Sequence, residues 1–337
     1  MMEMARRDAQ LEVHGLETHF PLGKGWRVRR EWIRAVDGVD LTLRRGEVLG
    51  VVGESGSGKT TLGRSVIRLV EPTAGSVRFE GVDVLALSAP AMRAMRRRMQ
   101  IVFQDPYGTL SPRMQIGQIL GEALRLHHLV PKAEIRAAAL ELLAKVGLED
   151  YFLYRYPHEM SGGQRQRVAI ARAISLGPEL LVADEPVSAL DVSVQANILG
   201  ILQELKERDG ITMLFISHDL SVVERIADRV MVLYCGRVME EAETQTLIRH
   251  PLHPYTQALL SAVPSGRPGR RRPRIRLAGE PPSATAPLSG CPFASRCPIV
   301  QVDCRNRVPP LEVKAPGQSV ACHRVSRASQ GVEKPPP

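Results

Sequence analysis

The eight residues Gly53-Glu54-Ser55-Gly56-Ser57-Gly58-Lys59-Thr60 constrain this chain more tightly than anything else in it. They have the spacing Gly-x-x-x-x-Gly-Lys-Thr and lie between an apolar β-type run, Val48 to Val52, and a helix-like stretch that opens at about Thr60. Small residues let backbone N–H groups close around phosphate oxygens, and the helix that follows points its positive end at them. In such a loop Lys59 reaches the β- and γ-phosphates of a nucleotide and the Thr60 hydroxyl ligates Mg²⁺, with Thr61 counted beside it as nucleotide-binding. A plain glycine-rich turn is the competing reading, and only further residues of the right chemistry decide between the two.

Two more apolar runs, Leu180 to Ala183 and Met213 to Ile216, are each followed by a turn and a helix-like stretch. That alternation predicts an α/β core with a largely parallel sheet. The run from Leu180 ends in two carboxylates, of which Asp184 can hold the Mg²⁺ shell and Glu185 can orient and deprotonate a water. Such a pair is also an ordinary helix start, but beside a phosphate loop the catalytic reading is the better one. Between the phosphate loop and these carboxylates, about Pro112 to Pro178 is dominated by Ala, Leu, Arg and Glu, which predicts a helical insertion.

With 44% hydrophobic and 24% charged residues over 337 positions, the chain has the composition of a protein with a substantial core, so disorder throughout is excluded. No stretch reaches the roughly 18 to 20 uninterrupted apolar residues of a membrane-spanning helix. Met1 to Gln10 carries Arg6, Arg7 and Asp8 and no apolar signal core, which predicts a chain that stays where it is made. Five cysteines then read as thiols or metal ligands rather than disulfides.

Further motifs follow in order: Gln104 in Val102-Phe103-Gln104-Asp105-Pro106, the run Met160-Ser161-Gly162-Gly163-Gln164-Arg165-Gln166-Arg167, Ser188-Ala189-Leu190-Asp191, and His218 in Ile216-Ser217-His218-Asp219. Ser161 and Gln164 have the spacing of a helix capping box, and a helix start with free N–H groups is an anion site. On these residues the chain resembles the ATP-binding-cassette (ABC) ATPases. The resemblance implies a P-loop NTPase core of the RecA type, with an antiparallel β subdomain, a helical insertion particular to ABC proteins and a small cysteine-containing C-terminal extension. It also implies ATP and Mg²⁺ as ligands, with Thr60, Asp184 and Gln104 at the metal and Glu185 as the base. Gln104 would sense Mg²⁺ and the attacking water, and His218 would hold the γ-phosphate and steady Glu185. Ser161, Gly162, Gly163 and Gln164 of one subunit would face the nucleotide of another, and Asp191 would contact that other subunit.

The similarity reaches further, through Ala35-Val36-Asp37-Gly38-Val39, Tyr156-Pro157-His158-Glu159 and His253-Pro254-Tyr255-Thr256-Gln257-Ala258-Leu259-Leu260, to the ATPase subunits of oligopeptide/dipeptide importers. Val102 to Arg113 is similar to the second, F-type ATPase of such systems. The resemblance implies a D-type ABC ATPase as heterodimer partner, two transmembrane permeases, an extracytoplasmic solute-binding protein, and a peripheral position on the cytoplasmic face of the cell (inner) membrane. The domains expected are an ATPase domain at 1–263 with its helical part at about 112–178, an Arg/Pro-rich linker at 264–288, the extension at 289–325 and a disordered tail at 326–337. A soluble cassette ATPase acting on nucleic acid or ribosomes is the rival. Such proteins usually carry two cassettes or a long coiled-coil insertion, and this chain has neither, so no nucleic-acid partner is expected.

Cys291, Cys297, Cys304 and Cys322 crowd into the extension. Their spacing departs from the paired Cys-x-x-Cys of zinc fingers, whereas a four-thiolate iron–sulfur site tolerates irregular spacing. The importer ATPases can hold a four-iron four-sulfur cluster there; zinc and four unligated thiols are the other readings. Cys235, in an apolar run, reads as a small buried core residue. The arginines at 267, 270, 271, 272, 274 and 276 read as a solvated linker, with attraction to anionic lipid as the alternative. For the adenine ring, Trp26, Trp32 or a stacking arginine are the candidates.

Overall fold

The structure, a computed structural model, describes residues 9–22, 31–262, 275–277, 279–280, 282–283, 285 and 288–326. Trp26, the arginines at 267, 270, 271, 272 and 274, and the tail from 327 lie outside the described residues. In chain order the elements are β1 (Ala9–Leu22), β2 (Glu31–Arg44), β3 (Val48–Val52), α1 (Lys59–Val66), β4 (Ala74–Phe79), β5 (Val82–Asp83), α2 (Ala89–Arg98) and β6 (Met99–Val102). Then come α3 (Ile116–Leu126), α4 (Ile135–Lys145), α5 (Gly162–Ile174), β7 (Leu180–Asp184), α6 (Val192–Asp209), β8 (Thr212–Ser217), α7 (Leu220–Ile226), β9 (Arg229–Tyr234) and β10 (Arg237–Glu243). The chain closes with α8 (Thr244–Arg249), α9 (Pro254–Ala262), α10 (Val302–Asn306), β11 (Glu312–Ala315) and β12 (Gln318–Val320). None of the described helices is long and apolar enough to cross a membrane.

The main sheet has the order β11-β12-β10-β9-β3-β8-β7-β6. Strands β9, β3, β8, β7 and β6 run parallel. All five residues of β3 and of β7 are buried, which is why both read as unbroken apolar runs: a parallel strand covered on both faces has no solvent side to mark with polar residues. Alternate side chains divide between two cores. Leu49, Val51, Val182, Leu214 and Ile216 pack with Leu62 and Val66 of α1 and with the antiparallel sheet β2-β1-β4-β5. Val48, Val52, Leu181, Ala183, Met213 and Phe215 pack with Ile198 and Leu202 of α6 and Val223 of α7 on the opposite face. Between β6 and β7 every regular element is helical, and Ile116, Leu120, Leu143, Phe152 and Val168 join that second core.

Alternating motifs do not announce what the C-terminal extension does. It adds to the main sheet: β12 pairs antiparallel with β10, Glu240 opposite Val320, and β11 pairs antiparallel with β12 at the sheet edge. Phe293, fully buried, meets Tyr234 of β9 and Tyr255 of α9 with ring centroids 5.5 Å and 5.3 Å apart. Truncating such a ring removes apolar burial and leaves a cavity, so Phe293→Ala should cost about 3 to 5 kcal/mol. A urea midpoint unmoved from wild type would contradict this packing.

Candidate nucleotide site

Residues 53–58 wrap the end of β3 before α1 begins. Gly58 has φ +101°, and a Cβ there would sit 2.0 Å from the Ala35 carbonyl oxygen, so only glycine can occupy this position. Lys59 is buried. Its Nζ donates to the Gly53 and Glu54 carbonyl oxygens at 2.9 Å each. Burial pushes the ammonium below its ordinary pKa, while Glu185, Asp184 and Glu54 act in the opposite direction. The amine is therefore parked on its own loop, within reach of an incoming anion.

At the end of β7, Asp184 is 1% exposed and accepts from the Thr60 hydroxyl at 2.8 Å, with Arg64 Nη2 3.4 Å from its other oxygen. Burial raises its carboxyl above the usual range, against the lowering effect of Thr60. A buried carboxylate and a hydroxyl held together with incomplete charge compensation suit a divalent cation, so these residues fit the Mg²⁺ of the sequence reading.

Glu185 sits in the left-handed region, φ +49°, which is strained for a residue with a side chain. Its N–H donates to the Ile216 carbonyl at 3.0 Å. The Oε2 atom accepts from Gln104 Nε2 at 3.0 Å and lies 3.2 Å from His218 Nδ1. Two residues, Gln104 just after β6 and His218 just after β8, thus converge on one oxygen of Glu185, which follows β7. The cleft has a volume of about 950 Å³, and Gly53, Glu54, Ser55, Gly56, Gly58, Lys59, Thr60, Thr61, Gln104, Glu185 and His218 line it.

Phe20, Ile33 and Arg34 line the same cleft. Phe20 is the aromatic ring that sequence reasoning missed. It lies near the end of β1, opposite Ile33 of β2, and no motif in the sequence marks it. Trp32 is partly exposed and is not among the cleft residues; its strand neighbours Ile33 and Arg34 are. Cys235 requires a correction as well: it is half-buried on the cleft wall, at φ +47°, in the turn between β9 and β10, and burial pushes its thiol up to about 11.

Ser161, Gly162, Gly163, Gln164 and Asp191 stand apart from this cleft. Ser161 caps α5, its hydroxyl accepting the Gln164 N–H at 3.3 Å while the Gln164 side chain accepts the Ser161 N–H at 2.9 Å. Asp191 caps α6 through the Val194 N–H at 2.9 Å. The two helix starts are packed together: a Cβ on Gly163 would lie 2.3 Å from Val194 Cγ1. Gly163 is glycine because α6 leaves no room for more.

The four cysteines of the extension gather in one place. Cys291 N–H donates to the Cys304 carbonyl at 2.7 Å, burial pushes the Cys291 thiol up to about 12, and the other three thiols add to that shift. Cys297 is raised by burial too, and by Cys322 and Cys304. Among the described residues, Glu17, His19 and Asp37 offer ligand atoms all within 4.8 Å of one another, and the four cysteines do not form such a group. Four thiols are a donor set that suits an iron–sulfur cluster and a zinc ion alike.

Comparison with known proteins identifies the family. Residues 36–188 match the model of the ABC transporter family, and residues 239–304 match the oligopeptide/dipeptide transporter C-terminal region. A Brucella ovis protein named as a peptide import ATP-binding protein is 53% identical over 314 residues, which is 93% of this chain and 97% of that one. The oligopeptide transport ATP-binding protein AppF of Bacillus subtilis is 48% identical over 329 residues, 96% of this chain and all of its own length. Among solved structures, the dimeric post-hydrolysis state of the ATP-binding cassette MJ0796, bound to ADP and Pi, has a TM-score of 0.63 at 31% identity and covers 69% of this chain and 98% of its own. Fold and relatives agree over most of the chain: it belongs to the ABC transporter family, as an ATP-hydrolysing subunit of the branch that carries the oligopeptide/dipeptide C-terminal region.

Proposed function

We propose that this chain powers the import of oligopeptides, dipeptides or a related small solute from the cytoplasmic face of the cell membrane. The observation that carries this reading is the match of residues 239–304 to the oligopeptide/dipeptide transporter C-terminal region, because that segment takes in most of β10, α8, α9 and Cys291, Cys297 and Cys304, and lies outside the phosphate loop and the carboxylates at the end of β7. Two permeases, a solute-binding protein and a second ATPase of the D type complete the system.

In this reading the triphosphate of ATP lies on the N–H groups of residues 53–61, and Lys59 leaves its loop carbonyls for the β- and γ-phosphates. Thr60, Asp184 and Gln104 would hold Mg²⁺, which would neutralise charge developing on the phosphates. Glu185 accepts the proton of the attacking water, and His218 steadies that carboxylate and contacts the γ-phosphate. Ser161 to Gln164 of the partner ATPase close the site from across the dimer, with Asp191 at the subunit contact. What supports this is that the capped start of α5 is exposed yet remote from its own cleft. ATP then closes the pair and hydrolysis opens it, and the helices between β6 and β7 pass that motion to the permeases.

Cys291, Cys297, Cys304 and Cys322 are proposed to hold a four-iron four-sulfur cluster that braces the extension and takes no part in hydrolysis. Protein purified without oxygen should contain about four iron atoms per chain; zinc alone, or neither metal, would overturn this. The importer assignment is tested by mass spectrometry of what copurifies from detergent-solubilised membranes with a tagged Glu185→Gln chain. Two permeases and a second cassette ATPase are expected, whereas nucleic acid or ribosomal proteins without membrane subunits would overturn it.

A further inference from the structure

The loop between Cys291 and Cys297 reaches into the nucleotide site. Arg296, its side chain 9% exposed, grips the Glu54 carboxylate with both terminal nitrogens: Nη1 lies 2.7 Å from Oε2 and Nη2 3.1 Å from Oε1. Such a two-pronged pair fixes direction as well as distance. Nη1 also donates to the Tyr234 hydroxyl at 3.3 Å, and the guanidinium carbon lies 5.9 Å from the centre of that ring. Three residues earlier, Phe293 anchors the same loop between Tyr234 and Tyr255.

Glu54 is the second residue of the phosphate loop, and it is held from outside at two points. Its N–H donates to the Tyr255 hydroxyl at 2.8 Å, and its carboxylate belongs to Arg296. Its carbonyl accepts from Lys59 Nζ at 2.9 Å. A chain of direct contacts therefore runs from the cysteine extension through Arg296 and Glu54 to the lysine that meets the phosphates. The charge matters as much as the geometry: Glu54 lines the cleft, where its carboxylate opposes any polyanion unless a cation neutralises it.

We infer that Arg296 is a positioning residue for nucleotide binding, by which the cysteine extension neutralises and orients Glu54 in the phosphate loop. The extension thereby becomes part of the nucleotide site, and its order sets how tightly that site holds a triphosphate. The inference rests on the phosphate loop being the nucleotide site, and is independent of what the cysteines hold and of which solute is imported.

The test is equilibrium binding of a fluorescent ATP analogue with Mg²⁺ to the full chain, with thermal unfolding measured alongside. Arg296→Gln should weaken binding about tenfold, a coupling of ordinary size between linked sites. Arg296→Lys, which keeps the charge, should recover most of that loss. Glu54→Gln alone should bind more tightly than wild type, since the repulsive carboxylate is gone and the arginine remains. The decisive variant is the pair Arg296→Gln with Glu54→Gln, which should return to within about threefold of wild type, because removing both members of the pair removes the uncompensated charge. A purely structural role would leave the double variant as weak as Arg296→Gln or weaker, and that result would overturn the inference; so would wild-type affinity in Arg296→Gln. If the wild-type chain fails to bind the analogue, the nucleotide site itself is refuted and this inference with it.

Discussion

Glu185→Gln is expected to bind ATP as the wild type does and to lose about a thousandfold in turnover, within the usual contribution of a positioned general base. The amide keeps the shape of the side chain and can still meet Gln104 and His218, which stand 3.0 Å and 3.2 Å from Oε2. It cannot take a proton from water. The strained backbone at Glu185 is set by its N–H bond to the Ile216 carbonyl and by the strand ends around it, so the substitution should not move the chain. Steady-state phosphate release and nucleotide affinity measured on the same preparation separate the two effects. Turnover within a few-fold of wild type would remove Glu185 from its role, and a matching loss of affinity would mark the defect as one of binding.

Lys59→Ala should act on binding instead, weakening nucleotide affinity by about a hundredfold or more, since charge-assisted hydrogen bonds to phosphate oxygens are among the strongest single contacts a site can make. The lysine is buried, and the carboxylates Glu185, Asp184 and Glu54 around it favour its charged form. Removing it takes away the one cation that this loop sequence itself supplies between those carboxylates and the phosphates. In the wild type the Gly53 and Glu54 carbonyls give up Nζ when the phosphates arrive, so losing those bonds in the free chain offsets only a small part of that effect. Calorimetric titration with ADP and Mg²⁺ reads the loss directly. An affinity within threefold of wild type would mean that the amine never leaves its loop carbonyls.

The two substitutions part company because the residues enter at different stages. Lys59 touches phosphate in the ground state, whereas Glu185 acts on the water only as the bond breaks. Phe293 belongs to neither stage. Its removal should lower global stability, and through Arg296 it should also loosen the phosphate loop. That shared consequence is why the double removal of charge from the Arg296 and Glu54 pair, rather than loss of affinity alone, identifies the coupling.

Much of the site was legible because its chemistry is local. The loop from Gly53 to Thr60, the carboxylates after Leu180 to Ala183 and the capping box at Ser161 are each decided within a few residues, by glycine conformation, strand burial and helix-end hydrogen bonding. β3 runs over the residues read as a strand, Val48 to Val52, and β8 extends one residue beyond either end of Met213 to Ile216. Phe20, Arg296 and Cys235 were not legible as site residues for the opposite reason. A phenylalanine at a strand end, an arginine between two cysteines and a cysteine after an apolar run have ordinary bland readings. What brings them to the cleft is pairing over long separations: Phe20 opposite Ile33, β12 on β10, and Arg296 on Glu54 across 242 residues.

By itself, then, the sequence determined the phosphate loop, the pair of carboxylates that closes β7, the largely parallel α/β core and the family, since each follows from short-range spacing and from apolar runs long enough to demand burial on both faces. Only the tertiary structure decided that the cysteine extension continues the main sheet and clasps the nucleotide loop. Sheet edges and ion pairs between distant segments are chosen by which surfaces remain to be covered once the core has formed, and no local pattern of residues encodes that choice.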